Sequence, residues 1–155
     1  MKTIYDFSFK NKKALIRVDF NVPLNKDLKV TDATRIEAAK PTILKVLEDG
    51  GSAVLMSHLG RPKGVEEKFS LKNIVDTVSN IIGVQVKFVA DCVGEEVEKA
   101  VAELENGEVL LLENLRFYSE EKAGDKEFAK QLAKCQTAWI RMRRRFSRCL
   151  IRILT

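Results

Sequence analysis

Ahead of residue 135 the chain contains only four arginines, Arg17, Arg35, Arg61 and Arg116, against 17 lysines. They fall in four short stretches, RVDFNVP, TDATRIE, SHLGRPKG and ENLRFY, and the only histidine, His58, shares the third with Arg61. Lysine is a strongly hydrated point charge that suits a solvated surface. The planar guanidinium of arginine makes paired hydrogen bonds to phosphate and carboxylate. Asp19 and Asn21, in the first stretch, add acceptors for a hydroxyl. A lone arginine is usually a surface residue and a lone histidine usually structural. It is the set that points to a small anionic ligand of the phosphorylated class.

The elements around these stretches explain how the set could converge. ALIRV (14–18), AVLMS (53–57), VQVKFV (84–89) and EVLLLE (108–113) are apolar runs too short for helices, and turn residues precede two of them. Helical patterns lie between. Thr34 and Glu37 have capping-box spacing, and a main helix is predicted with Pro41 at its first position. Further helices are predicted over 71–82, stopped by Gly83, and over 95–104 and 125–134. Strands that are nearly continuous in apolar residues belong to sheets covered on both faces. The alternation therefore predicts an α/β fold, a Rossmann-like parallel sheet with flanking helices. In such sheets the loops after the strands share one edge, where ligands bind. Each of the four arginines lies at or near a strand end, so they and His58 are expected to meet there.

Composition narrows the class. A 155-residue chain that is 45% hydrophobic and 32% charged suits one globular domain with a real core. The net charge of +5 is unevenly distributed. From Cys135 onward there are 6 arginines, no lysine and no acid, whereas the preceding chain carries 21 basic residues against 22 acidic ones. The body is thus not a nucleic-acid binder on charge grounds. The opening MKTIYDFSFKNKK lacks the apolar run of a signal peptide, and no stretch approaches the length of a membrane span. Cys92, Cys135 and Cys149 are odd in number and lack metal-ligand spacing, so a reducing cytoplasm and no metal site are expected. Neither GxxxxGK[ST] nor GxGxxG occurs, so the anion site comes without a recognisable nucleotide cradle.

RVDFNVPL, TDATRI with the following PTI, SHLGRPKG and LLENLRF, in this order and spacing, resemble the amino-terminal domain of the phosphoglycerate kinase family. The resemblance covers roughly residues 1–134. It implies an incomplete amino-terminal domain of a two-domain kinase. The family's glycolytic reaction moves a phosphoryl group reversibly between ATP and the carboxylate of 3-phosphoglycerate, giving 1,3-bisphosphoglycerate. By resemblance, Asp19 and Asn21 hold the substrate near its hydroxyl and carboxylate, with Phe20 between them in the substrate-binding stretch. His58, Arg61 and Arg116 bind its phosphate, Leu59 and Gly60 shape the loop, and Arg17 joins the basic patch. Arg35 is the expected catalytic residue, placed to stabilise the transferring phosphoryl group. A carboxylate is already ionised at neutral pH, so no general base is required. In the family Mg-ATP or ADP is bound by a second domain missing from this chain, which is expected to be a monomer and inactive alone.

The last 21 residues depart from this pattern. The family continues with a buried strand and a motif like NDAFGTAHRAH, which is absent. The preferred reading of 135–155 is out-of-frame sequence, with so many arginines that an exposed helix or coil is expected after about residue 138 rather than a central strand. The alternative is a non-catalytic binding module. Arg141, Arg145, Arg148 and Arg152, with Met142, Phe146, Cys149 and Ile153, have the spacing of a basic amphipathic helix for RNA, a membrane surface or an acidic protein.

Overall fold

A computed structural model describes the backbone of residues 3–135, 138–142 and 149–152 and the side chains of residues 3–135. Four strands lie in the apolar runs: β1 (Lys13–Arg17), β2 (Ser52–Met56), β3 (Val86–Phe88) and β4 (Val109–Leu111). The helices are α1 (Thr34–Glu48), α2 (Val75–Ile82), α3 (Glu95–Ala102), α4 (Ser119–Ala123) and α5 (Lys126–Ala133). Two further strands follow, β5 (Ala138–Met142) and β6 (Cys149–Arg152). Among the described residues the strands form one sheet in the order β3-β4-β2-β1-β5-β6. All neighbours are parallel except the antiparallel pair β5–β6.

Side-chain alternation along the strands divides the core. Ala14, Ile16, Ala53, Leu55, Val109 and Leu111 face a cluster with Ile36, Ala39, Ile43 and Val46 of α1 and Val78 and Ile82 of α2. Leu15, Val54, Met56, Leu110 and Leu112 face the other side, against Val97 and Val101 of α3 and Phe128 of α5. Both faces of β1, β2 and β4 are therefore covered, which is why these strands carry so few polar residues. Parallel alignment places the carboxyl ends of β1, β2 and β4 on the same edge. The loops that follow carry Asp19–Asn21, Ser57–Arg61 and Glu113–Arg116.

Several local expectations are corrected. α1 runs unbroken from Thr34 through Pro41, which stands inside the helix and not at its start. Proline removes the bond to the carbonyl of Glu37, but both residues are exposed, so water can satisfy that carbonyl. The start of α1 is held by Asp32, whose Oδ1 accepts from the Thr34 backbone N–H at 2.9 Å and from its hydroxyl at 2.6 Å. The capping-box pairing of Thr34 with Glu37 is not used. The helix predicted over 71–82 divides into a 3-10 turn (Leu71–Ile74) and α2, which ends at Gly83 in the left-handed region (φ 81°).

The region after Ala138 is also corrected, since β5 pairs along β1 from Ala14↔Ala138 to Arg17↔Arg141 and lies inside the sheet, with β6 beyond it. Ala138, Trp139 and Ile140 suffice to start a strand, and only one of the six tail arginines falls within β5. The amphipathic-helix reading is replaced at Arg141 and Arg152 by strand. Its Arg145, Phe146, Arg148 and Ile153 lie outside the described residues.

Candidate functional site

The loop after β1 is fixed to the loop after β2 by a small set of polar bonds. The Ser57 hydroxyl donates to the Val18 carbonyl at 2.9 Å and accepts from the Phe20 N–H at 2.9 Å. The Gly60 N–H donates to Asn21 Oδ1 at 2.8 Å. Gly60 has φ 63°, and a Cβ there would stand 2.4 Å from the Phe69 ring, so only glycine fits. Asn114, fully buried after β4, ties the third loop to the second. Its amide donates to the carbonyls of Leu59 and Phe69, each at 2.8 Å, while its Oδ1 accepts from the Arg116 N–H at 3.0 Å. Glu113 accepts from the Leu71 N–H at 2.8 Å and the Ser70 hydroxyl at 2.7 Å. Three loops thus become one surface.

The charged groups on this surface form two clusters. Arg35 Nη1 donates to both oxygens of Asp19, at 3.0 and 2.9 Å. This pair is open to solvent, with side chains 48% and 35% exposed. In the other cluster Arg17 Nη2 donates to Glu121 Oε1 at 2.6 Å, and Arg116 Nε lies 3.7 Å from Glu121 Oε2. Glu121 is only 11% exposed. Arg116 Nε is buried and has no hydrogen-bond partner among the described residues. His58 is buried beside these charges. Burial pushes its imidazolium below the usual range, and Arg116 and Arg17 add to that shift while Asp19 and Glu121 oppose it. At neutral pH it is therefore an uncharged donor and acceptor.

The geometry brings together Arg17, Arg116 and His58, and links Asp19 to Arg35 and Asn21 to Gly60. Arg61 is exposed, and no hydrogen bond or ion pair ties it to the others among the described residues. Phe20 and Leu59 have side chains buried in the core, so they shape the loops through backbone. Sequence reading passed over Glu121, Asn114 and Ser57. Glu121 follows Arg116 by five positions on a five-residue helix too short to show periodicity. Asn114 precedes a 3-10 turn (Leu115–Phe117) that it caps, and Asn before such a turn was the available signal.

Among the described residues no group of three His, Cys, Asp or Glu could hold a metal ion. The surface can instead receive a multiply charged anion. Arg17 uses one guanidinium nitrogen on protein, the terminal nitrogens of Arg116 have no hydrogen bond among the described residues, and Arg61 is open.

A family model described as phosphoglycerate kinase matches residues 4–141, which carries the match into β5. The cytosolic phosphoglycerate kinase of Triticum aestivum is 54% identical over 131 residues, covering 84% of this chain and 33% of that protein. The phosphoglycerate kinase of Porphyromonas gingivalis is 55% identical over 120 residues, covering 77% and 29%. Among solved structures, the phosphoglycerate kinase of Pyrococcus horikoshii superposes with a TM-score of 0.80 at 31% identity, over 91% of this chain and 36% of that one. This chain spans about a third of the length of the relatives it matches. On the matched sequence and the shared fold, the chain belongs to the phosphoglycerate kinase family.

Proposed function

We propose that the loops after β1, β2 and β4 bind 3-phosphoglycerate, and that the chain contributes this half of a phosphoryl transfer between ATP and the substrate carboxylate. The observation that carries the reading is the meeting of Arg17, Arg116, His58, Asp19 and Arg35 on one loop-formed edge. Arg116, Arg61 and Arg17, with a hydrogen bond from neutral His58, receive the phosphate. Asn21 has its Oδ1 occupied by Gly60, which leaves its amide to donate to the carboxylate or hydroxyl. Asp19 accepts from the hydroxyl. Arg35 is the catalytic residue. Its Nη1 rests on Asp19, and its remaining nitrogens, without a hydrogen bond among the described residues, can follow charge on the moving phosphoryl group.

In the reaction a carboxylate oxygen forms a bond to the γ-phosphorus of ATP as the bond to the leaving ADP oxygen breaks. The carboxylate is already ionised, so the residues supply orientation and positive charge, and none is needed as a base. The nucleotide and its Mg²⁺ are assigned to a part of the family's length that this chain does not span.

The unit 1–134 carries the binding surface; the family match continues to residue 141, and 142–155 lie beyond it. The wheat and tobacco relatives are named cytosolic, and we infer the same compartment and a monomeric state for this chain. No helix among the described residues is long and apolar enough to cross a membrane.

Titration calorimetry of the 155-residue chain tests the reading, with 3-phosphoglycerate compared with glycerate. Binding is expected to be weak, to require the phosphate, and to fall as salt is added. In a coupled assay the chain on its own is expected to show no ATP-dependent turnover. Equal binding of glycerate, or tight binding indifferent to salt, would sink the phosphate assignment.

A further inference from the structure

Glu121 is a carboxylate in the middle of a surface built for anions. Its chain neighbours Glu120 and Lys122 are exposed, whereas Glu121 turns inward and is only 11% exposed. Each of its oxygens faces a different arginine. Arg17 comes from the end of β1 and Arg116 from the turn after β4, and β2 lies between those strands in the sheet. Strands two places apart are separated by about 10 Å, so the two guanidinium groups do not meet through the sheet itself. They also repel each other. A shared counter-ion solves both problems.

The helix that carries Glu121 is itself anchored. The Tyr118 hydroxyl donates to Asp91 Oδ1, the Tyr118 and Phe128 rings pack at 4.9 Å, and Gly124 (φ 67°) closes α4 in the left-handed region. Glu121 is thereby held by the fold and does not merely follow the arginines. It also leaves donors free. It takes a single terminal nitrogen of Arg17, and from Arg116 it approaches only Nε, beyond hydrogen-bond distance. A carboxylate acting as a plug would be expected to engage the terminal nitrogens of both.

We propose that Glu121 is a positioning residue for the phosphate site: it spans Arg17 and Arg116 from behind and presents them as one array to the phosphate. The inference rests on the assignment of 3-phosphoglycerate above and extends it to a residue that does not touch the ligand. Glu121→Gln keeps the shape and removes the charge. On the full chain, its affinity for 3-phosphoglycerate is expected to fall about tenfold, as for loss of a charged hydrogen bond, while the response to glycerate, which lacks the phosphate, does not change. In nitrogen-edited NMR the Nε–H signals of Arg17 and Arg116, dispersed in the unaltered chain, are expected to collapse to the solvent-exposed position. Glu121→Asp, one methylene shorter and able to reach one arginine only, should move both readouts the same way and serves if the first variant does not fold. A merely structural glutamate would shift the unfolding temperature without a phosphate-selective loss. Unchanged or tighter binding by Glu121→Gln, with both arginine signals still in place, overturns the proposal. If the unaltered chain does not bind 3-phosphoglycerate, the functional reading fails, and the arginine signals alone decide the positioning role: collapse upholds it and persistence rejects it.

Discussion

Asp19 and Glu121 both hold arginine on the same edge of the sheet, yet in different surroundings. Asp19 takes one nitrogen of Arg35 with both oxygens in a pair about half open to solvent. Glu121 is recessed and divides its oxygens between Arg17 and Arg116. Solvent screens the first pair and competes for it, so little free energy opposes a change of partner. The second is shielded, and its arginines come from separate loops whose relative position depends on the pairing. The exposed pair suits the role proposed for Arg35, following charge on a moving phosphoryl group. The recessed cluster suits a fixed phosphate cradle.

Asn114→Ala breaks the recessed cluster and should leave the exposed pair alone. It strands the buried carbonyls of Leu59 and Phe69 and uncaps the Arg116 turn. Urea unfolding should show a loss of about 3 kcal/mol. The Arg17 Nε–H signal should broaden while that of Arg35 stays in place.

Double-mutant cycles sharpen the contrast. The coupling of Arg17 with Glu121 is expected at about 1.5 kcal/mol, the range for a hydrogen bond between charged groups. That of Arg35 with Asp19 is expected at about 0.5 kcal/mol or less and should vanish in high salt. Equal couplings would remove the distinction between cradle and mover.

The smallest effect expected is that of pH on His58. Its folded-state pKa lies below the ordinary value of 6.5, because burial and the two arginines disfavour the imidazolium. The unfolded chain therefore binds the proton more readily. The contribution of His58 is fully present above about pH 6.5 and is lost as pH falls through the window below it. In Glu121→Gln an opposing negative charge is gone, so that loss should grow. In His58→Asn it should disappear. Unfolding curves between pH 7.5 and about 5 measure both, and carboxylates such as Asp32 and Asp49, held below their usual range, act at lower pH.

How much of this was legible in the sequence varies by residue. The apolar runs located β1, β2 and β4 because burial on both faces leaves an unbroken signal, and β3, at the sheet edge with Lys87 exposed, was still marked by its alternating apolar residues. The four arginines stood out because lysine supplies charge elsewhere. The Pro41 rule misled, since a proline whose lost partner carbonyl is exposed can remain inside a helix. The arginine-rich ending hid β5 because charge was averaged over 21 residues, whereas the pairing with β1 involves only four. Glu121 and Asn114 were not legible as site residues. The cap that Asn114 places on the 3-10 turn has a local signal, but its bonds to the Leu59 and Phe69 carbonyls and the pairing of Glu121 with two arginines join segments distant in sequence, which no local pattern encodes.

The central claim is that the loops after β1, β2 and β4 form a single phosphate-recognising surface. Amide chemical-shift mapping of the 155-residue chain with 3-phosphoglycerate tests it most directly, with glycerate as the comparison. The account predicts phosphate-dependent shifts that cluster at Asp19, Asn21, His58, Gly60, Arg61, Arg116 and Glu121. Val75, Asn80 and Gln85, which line a separate groove between α2 and β3, should stay unmoved. Shifts centred on that groove, or identical shifts with glycerate, would contradict it.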